Sequence, residues 1–456
     1  MGIVDELKAI IKDAGRVSVN ETVLENHGKD LTYHQSSLPD VVVFPKTTEE
    51  VQAVMRVASQ NDLPVTPCGV ASSLEGHTIP VKGGISLDLS LMNQIKEIRS
   101  EDFIVVVEPG VTRRQLGKAL KQYGLFFPVD PGADASIGGM TATNASGTNT
   151  VGYGGMHQHV LGMEVVLASG DVIRPGGLSF KSSSGYSLKD LFIGSEGTLG
   201  VITEIILRVN GIPEVIRAGK AVFSDLESAG RAAELLLKTG VDVKRIELVD
   251  EQTIVAVNKF SETNYTEAPS LFIELDGPPQ AVKEQSEIIE SMLEDENCLS
   301  LTFEEDEKGR QQLWHARHEA AMSVVGLTPG KQLTSTDVCV PISELAQAII
   351  ETRHLLDRYP VTAALFGHVG DGNFHVCMGV DRHSPEEVAQ YKKINSEIVA
   401  YALSKGGTCT GEHGVGLGKI DYFYREHDSA TIQTMKTIKT ALDPKNLLNP
   451  GKIFKD

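Results

Sequence analysis

Residues 129–156 read "VDPGADASIGGMTATNASGTNTVGYGGM", a run too long for one turn and too poor in large apolar side chains to build a core. Loops of that length inside a compact domain usually carry function. Small residues at this density let a ligand lie against the main chain, where backbone N–H groups can bind phosphate. A second glycine-containing loop, "PCGVASSLEGH" (67–77), precedes it. A nicotinamide dinucleotide would call for G-x-G-x-x-G directly between a strand and a helix, with an acid about 20 residues on. The nearest approach, in "GHVGDGNFH" (367–375), leads into a strand. NAD is disfavoured, and two glycine-rich loops facing one dinucleotide are consistent with a flavin.

The surrounding pattern is layered. "PDVVVFP" (39–45), "TTEEVQAVMRVASQND" (47–62) and "LPVTPCG" (63–69) read as strand, helix and strand, with Thr47 or Thr48 opening the helix. "GGISLDLSLM" (83–92) and "FIVVVEPGVT" (103–112) suit strands of a covered sheet, and "RRQLGKALKQYG" (113–124) a helix ending at Gly124. From about residue 214 the character changes. Strand then helix over 212–240, a strand at 270–277 after a loop, and a helix at 279–297 give a β-α-β-β-α-β rhythm, expected of a separate α+β domain on an antiparallel sheet. "SPEEVAQYKKINSEIVAYALSKGG" (384–407) is a long helix with a Ser N-cap.

Composition excludes some functions. Lys+Arg 42 against Asp+Glu 61 leaves a formal charge of −19, which disfavours nucleic acid or an anionic membrane recognised by bulk charge. The five cysteines are dispersed with no Cys-x-x-Cys pair, as in a reducing compartment. The amphipathic start "MGIVDELKAIIKDAG" resembles neither a signal nor a transit peptide, and no apolar run is long enough to span a bilayer. The expectation is a cytoplasmic protein, or one peripheral to a membrane through a partner.

The hairpin "VTAALFGHVGDGNFHVCMGV" (361–380) sets His368 and His375 on either side of a Gly370-Asp371-Gly372-Asn373 turn. Paired strands run about 5 Å apart, so both imidazoles could reach one ion. The same residues also read as a polar hairpin bonded only to backbone. Two histidines are too few for zinc, but "GGTCTGEHGVGLGK" (406–419) offers Glu412 as a third ligand and His413, one residue on, as a general base. In "LWHARHEAAM" (313–322), read as one helix, Arg317 sits on a partly apolar face. It is either a surface ion pair or a clamp for a carboxylate.

These segments resemble a family. "PCGVASSLEGH", "SEDFIVVVEPGVTRRQL", "FFPVDPGADASIGGMTATNASGTNTVGYG" and "GSEGTLGVITE" are similar to the flavin domain of FAD-linked D-lactate dehydrogenases and the related glycolate oxidase flavin subunit. "LWHARH", "STDVCVPISEL", "GHVGDGNFH", "TCTGEHGVGLGK" and "LDPKNLLNPGKI" resemble the C-terminal domain of the same enzymes. The likeness covers about residues 38–455.

The resemblance implies an α+β protein with a two-part FAD-binding domain of vanillyl-alcohol-oxidase (PCMH) type plus an antiparallel-sheet α/β substrate (cap) domain. Its parts would be an N-terminal helical segment (1–37), the FAD domain (38–213), the substrate and metal domain (214–425) and a terminal segment returning to the FAD domain (426–456). Pro67, Cys68, Gly69, Val70, Ala71, Ser72, Ser73, Leu74, Gly76 and His77 would bind the FAD pyrophosphate. Pro131, Gly132, Ser136, Gly139, Thr141, Asn144, Gly147 and Gly154 would line the flavin. Glu196, Gly197, Gly200 and Ile202 would meet the adenine side, and Asn449 the isoalloxazine.

Many relatives have G-G-T-G where this chain has Val70-Ala71-Ser72-Ser73. Relatives acting on D-2-hydroxyglutarate have a lysine near Ser335 and a threonine near Ala321, so a small monocarboxylate is implied here. His77 does not fall where some relatives attach FAD, which implies noncovalent FAD. The expected reaction is oxidation of a small D-2-hydroxy acid, D-lactate to pyruvate first and glycolate or D-2-hydroxyglutarate as alternatives. Arg317 would hold the carboxylate, a divalent metal (Zn or Mn) would sit on His368, His375 and Glu412, and His413 would take the hydroxyl proton. The electron acceptor is left open among a cytochrome, a quinone, an electron-transfer flavoprotein and an iron–sulfur subunit, and a homodimer is compatible.

Overall fold

A computed structural model describes residues 2–304 and 306–455. The chain divides into two compact units. The first comprises the chain up to Ser146, Gly154–Ile212 and the chain from Glu412; the second comprises Gly147–Tyr153 and Pro213–Gly411.

In the first unit Val41–Val43 and Val65–Cys68 flank Ile85–Asp88, both parallel to it, and Val17–Ser18 adds antiparallel at the edge. These runs are nearly all apolar because they are covered, as parallel sheets require. The helix Thr48–Gln60 makes the crossover and buries Val51, Val54, Met55, Val57 and Ala58. Thr47 caps it, its hydroxyl accepting the Glu50 amide at 3.2 Å. The end of the chain joins this sheet: Val65 N donates to Leu447 O and Asn449 N to Val65 O, each at 2.8 Å, and Leu448 enters the core.

A five-stranded antiparallel sheet completes the unit, in the order Ile95–Arg99, Ile104–Val107, Val201–Arg208, Val160–Val166, Val172–Ile173. The helix expected over 113–124 spans Arg113–Lys121, and Gly124, at φ +68°, makes the turn into Leu125–Phe126. The glycine-dense stretch is more ordered than a loop. It holds three short helices, Ile137–Thr143, Thr150–Tyr153 and Met156–His159.

The second unit is built on one antiparallel sheet. Its strands run Cys298–Glu304, Val215–Phe223, Ser270–Gly277, Val243–Val249, Ala363–Gly367, Asn373–Val380 and Gln332–Ser335, with Val338–Cys339 also pairing with Asn373–Val380. The expected hairpin is present, and Gly372 takes φ +76° in its turn. The expectation that only a loop precedes the 270–277 strand is corrected. Val243–Val249 is a strand and Glu251–Ser261 a helix, so strands and helices alternate singly here. Lys244, Arg245 and Glu247 hid the strand, because charges interrupt its apolar pattern. The 313–322 segment is likewise not one helix. Glu307–His318 ends at Glu319 and Ala320–Gly326 begins there, and the pair packs Leu313, Trp314, Ala320 and Val324 against Val249, Phe366 and Cys377.

Candidate active-site residues

Sheet register gathers the polar residues of the second unit. Leu248 pairs with Gly367 and Val249 with Phe366, while Phe366 pairs with His375 on its other side. Residues opposite one another share a face, and alternate residues return to it. Glu247, Phe366, His368 and His375 therefore lie on one face. Arg317 reaches that face from the covering helix. Its guanidinium carbon stands 4.5 Å from the centre of the Phe366 ring.

Glu247 is wholly buried. One of its oxygens, Oε2, accepts from Arg317 Nε at 2.9 Å and Nη2 at 2.5 Å; the other, Oε1, lies 2.7 Å from His368 Nδ1. Burial alone would raise this carboxyl, but His368 and Arg317 hold it below the ordinary carboxylate range. The rings of His368 and His375 are 5.4 Å apart at an interplanar angle of 80°. His375 Nδ1 is 3.1 Å from the Thr336 carbonyl and 3.8 Å from Asp337. Asp337, fully buried, accepts from Asn373 Nδ2 and Thr410 Oγ1, both at 2.8 Å. An imidazole that donates Nδ1–H to an oxygen carries its lone pair on Nε2, the tautomer a metal site uses. His368 is therefore bonded to a carboxylate and not to backbone alone, whereas the Nδ1 of His375 faces a backbone carbonyl, as the polar-hairpin reading expects.

Glu412 and His413 belong to the first unit; Glu412 directly follows Gly411, where the division falls. Glu412 Oε2 accepts from Ser146 Oγ at 2.8 Å. The loop after His413 is held by two carboxylate residues of the same unit. Glu196 accepts the amides of Val415 at 2.6 Å and Gly416 at 2.8 Å, and Leu417 N donates to Glu75 O at 2.7 Å. Gly414 and Gly416 both have positive φ, and a Cβ on Gly416 would lie 2.1 Å from Glu75 O. Glycine is needed there for conformation and for space.

The residues expected to bind FAD form two groups. Gly69 lies directly against Ser136, a Cβ on it falling 2.3 Å from the serine hydroxyl, so the two glycine-rich loops meet. Ala71 adopts φ +53°, and Val70 is exposed. Ser73 Oγ and His77 Nδ1 are buried without a hydrogen-bond partner. Such orphaned groups are costly unless a ligand uses them, so this loop fits a dinucleotide. Gly132 has open space beside it, and Gly197 packs on the ring of Pro67. Other members of the set are engaged by the protein. Thr141 Oγ1 bonds Ile137 O, and Asn144 ends its helix at φ +51° with Oδ1 accepting the His157 amide. Ile202 is in the core opposite Val165, and Gly200 packs against Val165 and Phe192. Cys68, Gly76 and His77 are buried, while Pro131 and Gly139 are partly so. Gly147 falls in the second unit and Gly154 in the first.

Asn449 Nδ2 donates to His77 O at 3.0 Å and Glu196 O at 2.8 Å, knitting three distant segments together. Lys452, also buried, donates to Ile79 O at 2.7 Å and Asn449 Oδ1 at 3.2 Å. Sequence reasoning missed Glu247, Asp337, Glu75 and Lys452, since none sits in a motif whose spacing reveals its partner. Among the described residues, no helix is long and apolar enough to cross a membrane.

Comparison with known proteins agrees with this architecture. Residues 39–176 match the FAD binding domain family, and residues 212–453 match the family of FAD linked oxidases, C-terminal domain. The chain is 43% identical to a probable mitochondrial D-lactate dehydrogenase of Danio rerio, covering 99% of this chain and 91% of that protein. It is 41% identical to the mitochondrial D-lactate dehydrogenase [cytochrome] of Arabidopsis thaliana, over 99% and 80%. A glycolate oxidase subunit of Bacillus subtilis is 34% identical, over 93% and 91%. The solved 4-ethylphenol oxidase of Gulosibacter chungangensis superposes with a TM-score of 0.83 at 20% identity, over 99% and 96%, which gives the PCMH-type FAD-binding fold.

Proposed function

Because the chain belongs to the FAD-linked oxidase family that includes the D-lactate dehydrogenases and the glycolate oxidase flavin subunit, we propose that it is an NAD-independent D-2-hydroxy acid dehydrogenase acting on D-lactate. The observation that carries this reading is the meeting of Arg317, Glu247, His368 and His375 on one sheet face, in a chain similar to D-lactate dehydrogenases over nearly its whole length.

Arg317 binds the substrate carboxylate through its planar guanidinium, which Phe366 and Glu247 keep in one orientation. His413 accepts the hydroxyl proton as general base, from a loop whose backbone is fixed by Glu196 and Glu75. The two glycine-rich loops would hold FAD noncovalently, and it would supply the acceptor for the α-hydrogen as hydride. His368, His375 and Glu412 would hold a divalent ion, zinc or manganese suiting that nitrogen and oxygen set, and such an ion would lower the pKa of the 2-hydroxyl. Ser335 and Ala321 stand about where D-2-hydroxyglutarate relatives carry a lysine and a threonine for the second carboxylate, which favours a small acid. The electron acceptor is a cytochrome in this reading, after the naming of the Arabidopsis relative.

The similarity to the Bacillus subtilis glycolate oxidase subunit favours glycolate as the second reading. D-lactate, L-lactate, glycolate and D-2-hydroxyglutarate, added separately and anaerobically to the purified yellow protein, decide it. Bleaching by D-lactate is expected. Bleaching by glycolate alone selects the second reading, and bleaching by none overturns both.

A further inference from the structure

Glu247 is a carboxylate with no access to solvent, shared between a guanidinium and an imidazole that the proposed reaction uses for different purposes. Its two oxygens are divided between them. Oε2 takes the Nε–Nη2 edge of Arg317, and Oε1 takes Nδ1 of His368. Taking such charges out of water is costly, and well-packed apolar residues would often serve stability as well. A buried triad of this kind needs a reason beyond holding the strand in place.

The backbone arranges the sharing. Leu248 and Val249 pair with Gly367 and Phe366, and that register continued by one residue sets Glu247 across from His368. Arg317 arrives from the last turn of Glu307–His318, and the Phe366 ring supports the face of its guanidinium. With Nε and Nη2 engaged by Glu247, recognition of a substrate carboxylate falls to the Nη1 end. With Nδ1–H donated to Glu247, His368 holds the tautomer in which Nε2 is the ligand atom.

We propose that Glu247 is a positioning residue that couples the substrate clamp to the metal ligand: one oxygen aims Arg317, the other fixes the tautomer and orientation of His368, so that neither can shift without the other. This rests on the reading of Arg317 and His368 given above. Loss of Glu247 then weakens substrate binding and metal binding together, although it touches neither substrate nor metal.

The test uses the full-length holoprotein. Glu247→Gln keeps the size but replaces one acceptor oxygen with a donor, and Glu247→Asp keeps the charge but withdraws it by one methylene. Arg317→Ala and His368→Ala serve as references. For each, D-lactate KM and kcat are measured, bound metal is quantified after dialysis against graded chelator, and FAD per chain is read from the flavin spectrum. Outer partners of metal ligands typically change affinity about 10–100-fold. Glu247→Gln is expected to raise KM and weaken metal retention, each by about tenfold or more, with FAD per chain unchanged. Glu247→Asp should recover part of both, which also guards against a glutamine variant that fails to fold.

If Arg317→Ala raises KM and His368→Ala loses metal, while Glu247→Gln and Glu247→Asp change neither, the coupling role is overturned and the proposed reaction stands. If Arg317→Ala leaves KM unchanged and His368→Ala keeps its metal, the underlying reading has failed, and Glu247 is a structural ion-pair partner only.

Discussion

Glu196 and Val415, far apart in sequence, meet at 2.6 Å, the carboxylate accepting the backbone amide; the amide of Gly416 joins it at 2.8 Å. Burial would push this carboxyl up, but His77 and the two amides hold it below its usual range. The segment expected to touch FAD therefore also fixes the loop that carries His413. Glu196→Gln should free that loop while leaving the fold intact. Faster amide hydrogen exchange at Val415 and Gly416, with a stability loss of about 1–3 kcal/mol, is the expected outcome. Unchanged exchange would contradict the clamp.

Gly416 sits at φ +47° with Glu75 O occupying the space a side chain would need. Gly416→Ala should displace the loop and lower activity far more than Gly117→Ala, where the space is open and no site residue is involved. Turnover of the two variants, normalised to FAD content, checks this.

His413→Ala should retain FAD and metal but slow flavin reduction by about 10²–10⁴-fold, the usual contribution of a general base. Single-turnover anaerobic stopped-flow measures it. Reduction at the parent rate would remove His413 from that role.

Lys452 is 2% exposed, and burial pulls its ammonium down to about 8 although the charge of Glu196 opposes the shift. In the unfolded chain a lysine titrates near ~10.4, so between these values the unfolded chain binds more protons and stability rises with pH. The full gain is about 3 kcal/mol. The denaturant stability of the parent relative to Lys452→Met should therefore increase from about pH 7.5 to about pH 9.5. A pH-independent difference would show that the lysine is not desolvated.

Burial pushes the thiols of Cys339 and Cys377 up to about 11, and that of Cys68 further still. Cys298 is more accessible than Cys68, Cys377 or Cys409. Brief alkylation of the native protein at neutral pH should label Cys298 first, since the thiolate is the reacting form. Mass spectrometry of the peptides reads the order, and early labelling of Cys68 would contradict it.

What the sequence revealed and what it concealed divide along one line. The hairpin around Gly372, the helix capped by Thr47 and the Ser384-capped helix were legible, because each depends on neighbouring residues. Glu247 was not. Its strand carries Lys244 and Arg245, and its partners lie 70 and 121 residues away, so nothing local marks it as buried. Asp337 was concealed in the same way, its charge satisfied by Asn373 and Thr410. The second glycine-rich stretch reads as a loop unsuited to a core, yet Val129, Ile137, Met140 and Met156 enter one, and its small residues let short helices pack tightly, as Gly138 does against Pro109.

The most direct measurement is the visible flavin band of the purified protein under anaerobic D-lactate, recorded before chelation, after chelation, and after zinc or manganese is restored. Bleaching that is lost on chelation and returns with the metal is the predicted result. Undiminished bleaching by a protein verified to be free of metal would contradict the role given to His368, His375 and Glu412.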